Sequence, residues 1–137
     1  MELQLIDALQ WIRARREQFF PSGEAEPIYL LAYLMADILA LGGGSCTIRQ
    51  SGGWWIIGSD IDWLQIADFS ESELFGRVVP APGHGQHSMR AEVLTAAFTR
   101  SVWITLGEQR VRIKGDEPPR EVWKHVVGLH RAILFTM

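Results

Sequence analysis

The residues with chemical potential lie mostly in the middle of the chain. His84 and His87 form an H-x-x-H pair beside Gly83 and Gly85. On a helix that spacing brings two imidazoles toward one zinc ion. Here the glycines put the pair in a loop with no third ligand in sight, so it reads as loop polarity, and no metal or other cofactor is expected. Asp60 and Asp62 flank Ile61. In an extended segment both carboxylates face one way, where they could hold a cation or act as acid and base. A solvated acidic loop is the plainer reading. Ser88 follows His87, but no oriented third group completes a triad, and a serine there suits a helix N-cap. Tyr29, Tyr33 and Asp37 recur four apart and stack along one stripe of a helix. An aspartate on a largely apolar helix needs a partner or a solvent path. The stripe is therefore either a pocket wall or packing against a sheet. The adjacent Trp54 and Trp55 send one ring to each face of a strand. One ring belongs to a core and the other is a candidate protein interface.

These residues need elements to position them. Leu5, Ala8, Leu9 and Ile12 recur at helical spacing, which predicts a helix over Leu3–Phe19, broken by Pro21, Ser22 and Gly23. A second helix is predicted from Pro27 to Leu41, opened by its proline and stopped at Gly42. Gly52-Gly53 joins Cys46–Ser51 to Trp54–Gly58 as a hairpin whose turn accepts positive φ at both positions. Residues 59–87 mix acids with short apolar pieces, and Pro80, Pro82, Gly83 and Gly85 indicate an extended surface loop. A third helix is expected from near Ser88, with Glu92 in its first turn. A second hairpin pairs Ser101–Leu106 with Gln109–Lys114 across Gly107-Glu108. After Pro118-Pro119, Trp123, Val126, Val127 and His130 have helical spacing, while 131–137 reads equally as a last strand. Hairpins imply antiparallel pairing. The expected fold is α+β, a two-layer sandwich with a mainly antiparallel sheet and helices on one face.

With 137 residues, 47% of them hydrophobic and 21% charged, the chain suits a single domain over 1–137. A net charge of −3 argues against non-specific nucleic-acid binding; Arg13, Arg15 and Arg16 form the best local basic patch. Cys46 is the single cysteine, which rules out an internal disulfide and fits a reducing cytoplasm. It reads as a buried strand residue rather than a reactive thiol. No signal-peptide pattern or bilayer-length apolar run is read, so no membrane association is expected. Six tryptophans are many for this length and point to protein association.

Three segments carry a family likeness. Ile12-Arg13-Ala14-Arg15-Arg16 resembles a basic V-R-K-R-P opening. Ser22–Gly44 resembles a long helix bearing a catalytic glutamate and a metal-binding asparagine. Gly85-Gln86-His87-Ser88-Met89-Arg90-Ala91 resembles a G-L-H-G-V-G-A lid and phosphate loop. Together with the element order they resemble the Bergerat-type (GHKL) ATPase fold of histidine kinases and gyrase B, most of all the N-terminal ATPase domain of the gyrase B subunit. The resemblance implies that Tyr33 stands at the general-base position and Asp37 at the metal-ligand position. Tyrosine is neutral near pH 7 and a poor base there. Gly58-Ser59-Asp60-Ile61-Asp62 stands where the family reads adenine with D-x-G-x-G, with acids and glycine nearly exchanged. Arg90 and Ser88 stand where phosphate-loop glycines belong. What the resemblance implies is therefore a scaffold without ATP hydrolysis, a candidate remodelled pocket of Tyr33, Asp37, Asp60, Asp62, His87 and Arg90, and a role in protein interaction, self-association or regulation. A small-molecule or nucleotide sensor without turnover is the alternative.

Overall fold

The computed structural model describes residues 7–65, 69–79 and 89–137. Two short helices, α1 (Ala8–Arg13) and α2 (Arg16–Phe19), lead into the long helix α3 (Pro27–Ala40). A hairpin of β1 (Thr47–Ser51) and β2 (Trp54–Ser59) follows, then α4 (Glu71–Gly76) and α5 (Glu92–Phe98). A second hairpin, β3 (Ser101–Leu106) and β4 (Gln109–Lys114), precedes α6 (Arg120–Trp123), a 3₁₀ turn (Lys124–Val126) and β5 (Arg131–Thr136).

The five strands form one antiparallel sheet in the order β1-β2-β5-β3-β4. The last strand in sequence is thus the middle strand in space and joins the two hairpins. It takes that place because Ala132–Phe135 is apolar on both faces and fully buried. The ambiguous tail resolves into both predicted states in turn, a helical turn and then a strand.

Both hairpins close with two-residue loops, Ser51 pairing Trp54 and Leu106 pairing Gln109. Only the first loop residue has positive φ, +60° at Gly52 and +59° at Gly107. That is the type II′ pattern, so Gly53 does not use the left-handed region expected of it.

Alternation along β2 and β5 divides the sheet into two faces. Ile57, Ile133 and Phe135 join the main core with Leu30, Leu34 and Ile38 of α3, Leu74 and Phe75 of α4, and Val93 and Leu94 of α5. Each such side chain contributes roughly 1.5–3 kcal/mol on burial. Trp54, Ile56, Ala132 and Leu134 point the other way, against Val122 and Trp123 of α6. Helices on one face alone was therefore an incomplete expectation: α6 and the 3₁₀ turn cover the second face, because that face also is apolar.

The predicted first helix is split. Its residues 3–6 lie outside the described set, and the chain turns at Ala14 and Arg15 between α1 and α2. Asp7 caps α1, accepting from the Leu9 N–H at 3.0 Å. The segment read as loop contains α4, capped by Ser70, which accepts from the Glu73 N–H at 3.2 Å. The third helix starts at Glu92, later than expected, with Ala91 as N-cap residue and no cap bond from its own side chain. Ser88, the expected cap, lies outside the described residues.

Candidate functional site

Helix α3 carries Asp37 on its inner face. Each step of four residues turns about 40° around an α-helix, so a stripe of Tyr29, Tyr33 and Asp37 rotates as it climbs. Tyr29 is half-buried with its ring 6.1 Å from that of Phe20. Tyr33 reaches the rim, where its hydroxyl donates to the Phe19 carbonyl at 2.6 Å. Asp37 alone turns fully inward.

There its carboxylate accepts from the Ala91 N–H at 2.7 Å. The missing cap of α5 is thus supplied by α3, and the negative charge suits the positive end of that helix. Arg90 lies beside it, with Nε 3.8 Å from the Asp37 carboxylate. The same guanidinium grips Glu92 at both oxygens, at 2.6 and 3.2 Å, and donates to the Trp63 carbonyl at 2.8 Å. Asp37, Arg90 and Glu92 are 5%, 2% and 0% exposed. Burial pushes the Glu92 carboxyl above its ordinary value, against the opposing pull of Arg90.

A second arginine lies at the turn end of the sheet. Arg131 opens β5 and is 1% exposed. Its guanidinium donates to Asp62 at 2.7 Å and meets Glu71 at 3.0 Å. It also donates to the Thr105 carbonyl at 3.3 Å. The segment from Ser59 to Leu64 is therefore clamped from two sides, Asp62 by Arg131 and the Trp63 carbonyl by Arg90.

Asp60 and Asp62 do not act as a pair. Strand β2 ends at Ser59 and the chain bends, so the carboxylates part. Asp60 accepts from the Ser59 hydroxyl at 3.1 Å and the Ser45 N–H at 3.2 Å. The Ser59 hydroxyl foremost holds its carboxyl below the ordinary value. Asp62 goes to Arg131 and to the Leu64 N–H, at 3.2 Å.

The structure thus brings Asp37 and Arg90 together and leaves Tyr33, Asp60 and Asp62 elsewhere. His87, with His84, lies outside the described residues. Glu92, Glu71 and Arg131 complete the charged clusters without having been singled out as site residues. Among the described residues no group of three His, Cys, Asp or Glu side chains is placed to hold a metal.

The tryptophan pair is not a ready interface. Strand β2 is interior to the sheet and covered on both faces, so Trp54 is 8% exposed in the second core. Trp55 is half-buried against the main core. Exposed apolar surface lies instead on the outer side of α3, at Ile28 (65%), Leu39 (57%) and Met35 (38%). The basic patch is also occupied. Arg13 Nε donates to the Ala97 carbonyl at 2.8 Å, near the end of α5. Arg15 lies 4.1 Å from the Trp11 ring, and Arg16 5.7 Å from the Phe98 ring. Cys46 is half-buried just before β1, and burial pushes its thiol up, away from reactivity. No described helix is long and apolar enough to cross a membrane. The chain matches no family model, no curated protein and no solved structure.

Proposed function

We propose that this chain is a non-hydrolysing domain of gyrase-B-like ancestry that works by protein association. The observation that carries the reading is the outward side of α3. Across its fourteen residues, every side chain facing water is apolar or tyrosine: Ile28, Ala32, Tyr33, Met35, Leu39 and Ala40. A solvated helix face normally carries charge, and a contiguous apolar one marks a contact surface.

The site geometry supports the loss of turnover. A general base and a metal ligand must be free to meet water and ion. The Tyr33 hydroxyl is bonded to the Phe19 carbonyl, and Asp37 caps α5 beside a buried arginine. At Arg90, the resemblance implies a glycine whose backbone would approach phosphate. Its side chain instead fills the interior between two carboxylates.

Sedimentation velocity over a wide concentration range tests the association. The expected result is a mass that rises with concentration in the wild type and stays monomeric in Leu39→Glu and Met35→Glu. Unchanged association in both variants would overturn the α3 surface. Titration calorimetry with ATP, with and without magnesium, tests the other half. Saturable heat would replace the association reading with a nucleotide sensor.

A further inference from the structure

The second face of the sheet holds a cleft of about 780 Å³, between the β3–β4 hairpin and the loop from Val126 to His130. It is separate from the Asp37 cluster, which lies on the first face. Its size is within the range of small-molecule sites. Thr105 and Arg110 pair across β3 and β4, and with Trp123 and Leu129 they line it.

Thr105 and Trp123 are respectively 1% and 7% exposed. The Thr105 hydroxyl and the Trp123 indole N–H are both buried without a hydrogen-bond partner. Leaving such groups unmade is costly, and native proteins do so sparingly. Here two occur on residues lining one cleft. Both groups are closed to solvent, so a ligand reaches them only when the exposed Arg110 side chain over the Trp123 ring swings aside, while the backbone around them stays fixed. His130 N–H donates to the Ser59 carbonyl at 3.1 Å, and Gly107 N–H to the His130 carbonyl at 2.9 Å. Arg49 donates to the carbonyls of His125 and Val127, at 2.5 and 3.0 Å.

The donor set selects the ligand. An indole N–H can only donate, and so can a guanidinium. The Arg110 guanidinium lies 4.1 Å from the Trp123 ring centroid, on an exposed side chain able to pivot. The group that satisfies all three is an anionic acceptor. Val126, Leu129 and, once Arg110 has moved, the indole face offer an apolar surface to the rest of the molecule. Glu108, at the hairpin turn, opposes a second negative charge. We infer that this cleft binds a small organic monocarboxylate with an apolar body, its carboxylate held by Arg110, the Trp123 indole N–H and the Thr105 hydroxyl.

The test reads the indole N–H resonances of the full chain by NMR, with Trp123→Phe identifying the Trp123 signal. Benzoate is the probe, with neutral benzamide and inorganic phosphate as comparisons. Benzoate should move the Trp123 signal saturably downfield, and neither comparison should do so. Arg110→Gln, at an exposed position, should weaken benzoate about tenfold, the loss of one charge-assisted bond. Thr105→Val should also weaken it while raising the melting temperature of the ligand-free protein, because it removes an unpaired buried hydroxyl. A merely structural threonine would not separate those two readouts. A Trp123 signal unmoved by benzoate would overturn the site. Equal shifts with benzamide would overturn the role of Arg110, and equal shifts with phosphate would overturn the monocarboxylate.

Discussion

Arg90 and Arg131 are both buried, and each holds two carboxylates and a main-chain carbonyl. They differ in what surrounds the acids. Around Arg90, the Asp37 and Glu92 side chains are 5% and 0% exposed. Around Arg131, those of Asp62 and Glu71 are 16% and 35% exposed. The acids of the first cluster are shut away from water, so protein groups must satisfy their charges. The second can trade a lost partner for water. Desolvation makes a closed ion cluster weak evidence for net stability but makes breaking it severe. The closed cluster therefore fixes the mutual positions of α3, α5 and the Trp63 segment, while the open one ties a loop to the sheet with some give.

Removing each arginine in turn should separate the two clusters most widely. Arg90→Met should cost about 3–5 kcal/mol, because two buried carboxylates lose their only described cation. Arg131→Met should cost about 2 kcal/mol, since Asp62 and Glu71 can turn to water while the Thr105 carbonyl loses a donor. Urea unfolding of both variants measures the two values. Equal costs would mean that exposure of the acids does not set the difference.

Proton linkage gives a smaller contrast. The folded Glu92 carboxyl lies above its ordinary value of 4.5, chiefly through burial. The folded state therefore holds this proton more tightly than the unfolded chain. Its contribution to stability is full below the unfolded value and is lost as pH rises through the raised folded one. Unfolding midpoints should thus fall with rising pH across that window, and Glu92→Gln should remove that part of the slope. An unchanged slope in the variant would assign it to other groups.

Much of the frame was legible because it is local. Pro27 and Gly42 bound α3, and single glycines at the first loop position close both hairpins. Helix α4 was legible too, in Ser70-x-x-Glu73, the first half of a capping box, but the acids around it read as loop. The central place of β5 was not legible, because strand order depends on contacts between distant hairpins. The site was half visible. Asp37 announced itself as an acid on an apolar helix, whereas nothing in the local pattern around Arg90 marked it as the partner of that acid. Glu92 read as an ordinary first-turn acid, although it opens the apolar run Val93-Leu94. Arg131 likewise opens the run Ala132–Phe135, and a lone charge beginning a buried run was the available signal. Which acids would meet which arginine was beyond local pattern, since Asp62 and Arg131 are 69 residues apart in the chain.

The smallest expected effect tests whether the open cluster is truly solvated. Asp62→Asn keeps an oxygen able to accept from the Leu64 N–H but removes the charge facing Arg131. With Glu71 still in place, the cost should be below about 1 kcal/mol, as for a partly exposed ion pair. Salt should shrink it further, because solvent ions reach the pair within a Debye length of about 8–10 Å. The cost of Arg90→Met should hardly change over the same salt range, because the closed cluster excludes those ions. Unfolding titrations of both variants at low and high sodium chloride make the comparison. A salt-insensitive Asp62→Asn would mean that Arg131 and its acids are as closed as Arg90 and its own, and the distinction between the two clusters would collapse.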